Sequence, residues 1–78
     1  MSVTAYVLIQ TEVGKAGQVA DEVAKIEGVT AANIVTGPYD VIMQAEANTM
    51  DELGKVIVSR VQLIDGITRT LTCEVIHV

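Results

Sequence analysis

The sequence predicts an α+β fold of the split-βαβ, ferredoxin-like kind: a four-stranded antiparallel sheet with two helices on one face, in the order βαββαβ. Three observations carry that prediction. Hydrophobic spacing alternates between a two-residue and a three-to-four-residue period in this order along the 78 residues. The chain also repeats itself. Val7-Leu8-Ile9-Gln10-Thr11-Glu12 is echoed by Val41-Ile42-Met43-Gln44-Ala45-Glu46 at an offset of 34, and Ile26-Glu27-Gly28-Val29-Thr30 by Ile64-Asp65-Gly66-Ile67-Thr68 at an offset of 38. The difference between the offsets is about one helical turn, so the second half carries the longer helix. Third, the two most apolar strands are the first and third, which this topology places in the middle of the sheet.

Each element follows from local chemistry. Val3–Thr11 is rich in β-branched residues and apolar on both alternating faces, with Val3, Ala5, Val7 and Ile9 on one side and Tyr6 and Leu8 on the other. Such a strand is covered on both sides. Gly14 and Gly17 punctuate a loop, and Gln18–Glu27 reads as a helix with Val19, Val23 and Ile26 on one stripe and Gly28 as its stop. Val29–Thr36 and Tyr39–Ala47 are strands joined by a hairpin around Thr36–Asp40, where Gly37-Pro38 breaks the ladder. Thr49 followed by Glu52 has the capping-box spacing, opening a helix over Met50–Leu63 with Leu53, Ile57 and Val61 on one stripe. Gly66 precedes a last strand, Ile67–Val78.

Composition narrows the function classes. The chain is long enough for one domain. Half of it is apolar, but its only aromatics are two tyrosines. That is too apolar for disorder, and no apolar run approaches the ~18 residues of a membrane-spanning helix. Five basic residues against ten acidic give a net charge of −5. Lys15, Lys25, Lys55, Arg60 and Arg69 are scattered rather than clustered, which argues against direct binding to nucleic acid. A single Cys73 cannot form an internal disulfide, and Met1-Ser2 leads straight into strand-like sequence; the expected compartment is the cytoplasm.

Both helices lie on one face of such a sheet, yet the other face is not polar. Whichever side of the first strand faces inward, the outer one carries large apolar residues, each worth roughly 1.5–3 kcal/mol when buried. A second copy stacked sheet to sheet across a two-fold axis would cover them, giving a dimeric α+β barrel. Val56-Ile57-Val58, three consecutive apolar positions on a helix, points to a further contact surface.

Little in the sequence suggests catalysis. His77 is one residue from the C-terminus, and no group of His, Cys and carboxylates has metal-ligand spacing, so neither metal nor cofactor is expected. Cys73 alternates with Leu71 and Val75, the pattern of core packing rather than of a nucleophile. Glu12, Glu46 and Glu74 near strand ends read as solvated charges. Val35-Thr36-Gly37-Pro38-Tyr39-Asp40 has the most distinctive local chemistry. Its turn amides can hold a carboxylate, Asp40 can accept from an ammonium, and Tyr39 supplies a flat wall with a hydroxyl. The same residues also suit a plain hairpin whose Asp40 bonds its own backbone.

Ile34-Val35-Thr36-Gly37-Pro38-Tyr39-Asp40-Val41-Ile42 resembles the "vtG-x-yD" hairpin of the Lrp/AsnC family of amino-acid-responsive transcription regulators. The likeness continues through Met50-Asp51-Glu52-Leu53 and then Ile64–Thr72, which is similar to the family's "gV-x-r-t-x-t" approach to the final strand. It covers Val3 to Val78 and identifies residues 1–78 with the family's ligand-binding domain, the RAM (regulation of amino-acid metabolism) domain, with no DNA-binding domain in this sequence. The resemblance implies a ferredoxin-like domain that dimerises through its sheets. It also implies assembly of dimers into rings such as octamers, with an amino-acid effector bound between dimers near the hairpin. It places ligand contacts at Gly37, Tyr39 and Asp40, with hydroxyl contacts from Thr70 and Thr72. The expectation is a non-enzymatic module that binds a small amino acid and modulates full-length relatives by mixing with them. A purely structural partner, or a small cofactor-independent monooxygenase or isomerase of the dimeric α+β barrel type, are the rival readings.

Overall fold

Alternation along the first strand decides which way the sheet faces. In a computed structural model that describes residues 2–77, without the side chains of Val56 and Val58, strand β1 (Val3–Thr11) buries Ala5, Val7 and Ile9 completely and leaves Tyr6 44% exposed. The helices therefore cover the odd-numbered face, and the even-numbered one is open. Helix α1 (Ala16–Ala24), strands β2 (Val29–Ile34) and β3 (Val41–Ala47), helix α2 (Met50–Val56) and strand β4 (Ile67–Glu74) complete the βαββαβ order. The strands form one antiparallel sheet in the order β2-β3-β1-β4, with the two most apolar strands in its middle. The core is β1 and β3 residues packed under Val19, Ala20 and Val23 of α1 and Leu53, Ile57 and Val61 of the second helix. Among the described residues no aromatic contributes to it.

The internal repeat is realised in hydrogen bonds. The Gly28 carbonyl accepts from the Glu46 amide at 2.8 Å, and the Gly66 carbonyl accepts from the Glu12 amide at 2.8 Å. Each edge strand carries a bulge at a threonine whose hydroxyl bonds the neighbouring strand: Thr30 Oγ1 to the Gln44 carbonyl at 3.2 Å, and Thr68 Oγ1 to the Gln10 carbonyl at 3.1 Å. The offsets of 34 and 38 thus describe a pseudo-two-fold axis through the sheet.

Several boundaries differ from the sequence reading. Helix α1 ends at Ala24, because Lys25 and Ile26 bond the carbonyls of Glu22 and Val23 in tighter i to i−3 turns. Half of the expected Thr49–Glu52 capping box forms: Thr49 Oγ1 accepts from the Glu52 amide at 3.1 Å, while Glu52 Oε2 accepts from the Asn48 amide at 3.2 Å, one residue before the N-cap. The second helix is longer than the first, but its last turn, Ile57–Val61, is π-helical rather than α-helical. There the Ser59 hydroxyl bonds the Lys55 carbonyl and competes for that acceptor with the backbone amides. Strand β4 stops at Glu74, although the Val75 amide still donates to the Thr4 carbonyl at 2.9 Å; Val78 lies outside the described residues. Ile57 is buried, while the side chains of Val56 and Val58 lie outside the description, so the contact surface expected there is not placed.

Among the described residues no helix is long and apolar enough to cross a membrane.

Candidate functional site

The hairpin, the β1–α1 loop and the segment before β4 all emerge at the end of the sheet where β1 finishes. Asp40 ties the hairpin to the end of β1. Its amide donates to the Ile9 carbonyl at 2.9 Å, its own carbonyl accepts from Val35 at 2.9 Å, and its Oδ2 accepts from the Thr11 amide at 2.8 Å and the Thr11 hydroxyl at 3.3 Å. The carboxylate so replaces a main-chain acceptor at the frayed end of β1, where the ladder to β4 slips by one residue. It bonds β1 rather than its own loop. This also explains why β3 starts at Val41 and β2 stops at Ile34, instead of running on through Tyr39 and Thr36.

Gly37 sits at φ +145° with open space where a Cβ would be, so backbone conformation and not crowding selects glycine there. Tyr39 and Asp40 are half-buried beside it. Thr70 lies opposite Ile9 in the ladder, so Asp40 and Thr70 flank the same β1 residue, about 10 Å apart across two strand spacings. Thr72 lies opposite Val7, two residues further into the sheet and exposed at its edge. Four of the five expected contact residues therefore gather at one end, and Thr72 stands apart. Around them the fold leaves Val13 102%, Leu63 82% and Ile34 60% exposed on the three adjacent segments.

The open face of the sheet is the second feature. Cα partners across an antiparallel ladder share a face. Leu8 is flanked by Ile42 and Leu71, and Tyr6 by Gln44 and Cys73, which makes an apolar centre rimmed by Glu46, Gln10 and Arg69. Cys73 is exposed, not in the core as its alternation suggested: the alternation fixes the period of β4, while the register opposite Tyr6 fixes its face.

A third feature has no counterpart in the sequence reading. At the far end of the sheet, where β3 finishes, a cleft of about 450 Å³ opens between the α1–β2 turn and the second helix. Glu27, Gly28, Glu46, Glu52, Lys55 and Arg60 line it. These residues are far apart in sequence, and only the fold assembles them. Among the described residues no group of three or more His, Cys, Asp and Glu could hold a metal ion.

The fold defines a small α+β domain of the βαββαβ kind with an apolar sheet face left uncovered in the single chain. More narrowly, the chain belongs to the Lrp/AsnC ligand binding domain family, whose model matches residues 4–78. It is 37% identical over 70 residues to an uncharacterized HTH-type transcriptional regulator of Pyrococcus abyssi, a match covering 90% of this chain and 44% of the relative. The chain spans about half the length of the curated relatives it matches. A solved protein of Thermus thermophilus is similar throughout, with a TM-score of 0.91 at 26% identity over 97% of this chain and 95% of that one. A transcriptional regulator of Neisseria meningitidis solved in complex with L-Met shares the fold, with a TM-score of 0.83 at 18% identity over 96% of this chain and 50% of that one.

Proposed function

We propose that this chain is an effector-binding, oligomerising module of amino-acid-responsive transcription regulation, without catalysis of its own and acting in the cytoplasm. The observation that carries the reading is the hairpin end. Asp40 fixes the hairpin against the end of β1 there, and Val13, Ile34 and Leu63 stand exposed on the segments that emerge at the same end. Exposed apolar side chains around a fixed polar turn suit a contact between subunits with a small zwitterion enclosed in it. The L-Met complex of the Neisseria meningitidis regulator supports an amino acid as the ligand class. Two chains pair through the open sheet faces, dimers meet at the hairpin ends in a ring, and a ligand that binds one assembly state more tightly shifts the equilibrium toward it. The same sheet face allows mixed assemblies with full-length regulators of the family.

Titration calorimetry against the common amino acids, paired with light scattering, tests this. The expected result is heat with at least one of them and its loss in Asp40→Ala. A monomer at micromolar concentration overturns the assembly claim. An intact oligomer that binds no amino acid selects the second reading, a structural partner whose site is vestigial. One observation favours that reading: Oδ2 of Asp40 is already engaged by Thr11.

A further inference from the structure

The hydrogen bonds of Asp40 all run to its own chain. Its amide donates to the Ile9 carbonyl and its carbonyl accepts from the Val35 amide, both at 2.9 Å. Oδ2 accepts from the Thr11 amide at 2.8 Å and from the Thr11 hydroxyl at 3.3 Å. The internal repeat shows why a side chain is needed there. Under the offset of 34, Thr11 corresponds to Ala45. Ala45 lies inside the sheet, with Ala5 opposite it on one side and Val29 on the other. Thr11 has a ladder partner only on the β4 side, Ile67, because the pairing of β1 with β3 ends at Ile9 and Val41. Asp40, the residue just before β3, supplies the acceptor that one more residue of strand would have given.

The residues on either side of Thr11 bond the other way. The Gln10 carbonyl accepts from the Thr68 hydroxyl at 3.1 Å, and the Glu12 amide donates to the Gly66 carbonyl at 2.8 Å. The end of β1 is thus joined to the approach of β4 through Gln10 and Glu12, and to the hairpin through Thr11. Asp40 sets the hairpin against that junction. Within the hairpin, the amides of Thr36, Gly37 and Tyr39 make no hydrogen bond among the described residues. The loop therefore presents donors, which suit an anionic group and are effective only when held in one arrangement.

We propose that Asp40 is a positioning residue of the hairpin site: it acts through the Thr11 amide as a hydrogen-bond acceptor, and not as the charge that meets a cationic group of a ligand. The part of this that concerns binding rests on the hairpin being the effector site; the positioning is a property of the ligand-free chain. A neutral acceptor of the same shape then serves nearly as well as the carboxylate.

Asp40→Asn and Asp40→Ala separate the acceptor from the charge. The first measurement is hydrogen exchange of the intact protein without ligand, read by mass spectrometry over residues 9–12 and 34–40. Exchange there should be about tenfold faster than wild type in Asp40→Ala and close to wild type in Asp40→Asn. Thr49→Ala, which removes a cap at the far end of the sheet, controls for general loss of stability and should leave these segments unchanged. The second measurement is calorimetric titration with L-methionine, the amino acid in the Neisseria meningitidis complex. Asp40→Asn should bind within about threefold of wild type and Asp40→Ala about tenfold more weakly. Three exchange results overturn the proposal: no change in Asp40→Ala, Asp40→Asn as fast as Asp40→Ala, or equal acceleration in Thr49→Ala. Asp40→Asn that exchanges slowly yet binds as weakly as Asp40→Ala also overturns it, since the carboxylate, through Oδ1, would then be touching the ligand. Wild type that takes up no L-methionine counts against the effector reading with this probe, and the exchange results alone then decide the positioning.

Discussion

Asp40 and Gly66 show how much of this fold hangs on single positions outside the core. Removing the Asp40 carboxylate leaves the half-buried Thr11 amide without its 2.8 Å acceptor, at a cost of about 1–2 kcal/mol. Asp40→Asn retains an acceptor oxygen and should lose less than Asp40→Ala. Urea unfolding at one fixed protein concentration, needed because assembly adds its own stability, ranks the two. Glycines 37 and 66 make a second comparison. Both occupy positive φ, at +145° and +95°, but only Gly66 also meets side-chain atoms where a Cβ would go. Gly37→Ala should cost about 1 kcal/mol of backbone strain, and Gly66→Ala more than that, because the Lys15 stem must move as well. Equal losses would mean that the contact beside Gly66 relaxes freely.

At the scale of elements, the caps and strands were legible because their causes are local. Thr49 and Glu52 are three residues apart, and Thr49 Oγ1 accepts from the Glu52 amide within one turn, so Thr49→Ala should lower stability by about 1 kcal/mol in the same unfolding assay. The strands of β1 and β3 could be read from alternation, and their pairing from the repeat. What stayed hidden depends on partners distant in sequence or on competition for one acceptor. The longer second helix was visible as a difference between two offsets, but its π turn arises where the Ser59 hydroxyl takes up the Lys55 carbonyl, and no periodicity encodes that. The hairpin residues were legible from turn chemistry, whereas the partner of Asp40 was not, because Thr11 lies 29 residues away and joins it only once β1 and β3 have paired. Cys73 was misplaced for a related reason: Leu71, Cys73 and Val75 alternate regardless of whether their face is covered.

The whole molecule turns on the open sheet face. Leu8, Ile42 and Leu71 form a row across three strands, with Tyr6 and Cys73 beside it, and Tyr6 and Leu71 are 44% and 41% exposed in the single chain. Covering such a face with a second sheet about 10 Å away removes these side chains from water and brings the rim residues Glu46 and Arg69 to the edge of the contact. In the proposed sheet-to-sheet dimer Cys73 would be a reporter of the pairing, since it is exposed on the single chain and sits opposite Tyr6 on the face that the second sheet would cover. The rate of modification by a thiol reagent should fall as protein concentration rises through the dimerisation range. In Leu71→Glu, which places a charge in the middle of the apolar row, modification should be fast at every concentration and light scattering should give a smaller mass. A dimer in light scattering whose Cys73 reacts at the same rate as in Leu71→Glu would move the interface away from the sheet. The exposed Val13, Ile34 and Leu63 at the hairpin end would then become the first contact between chains rather than the second.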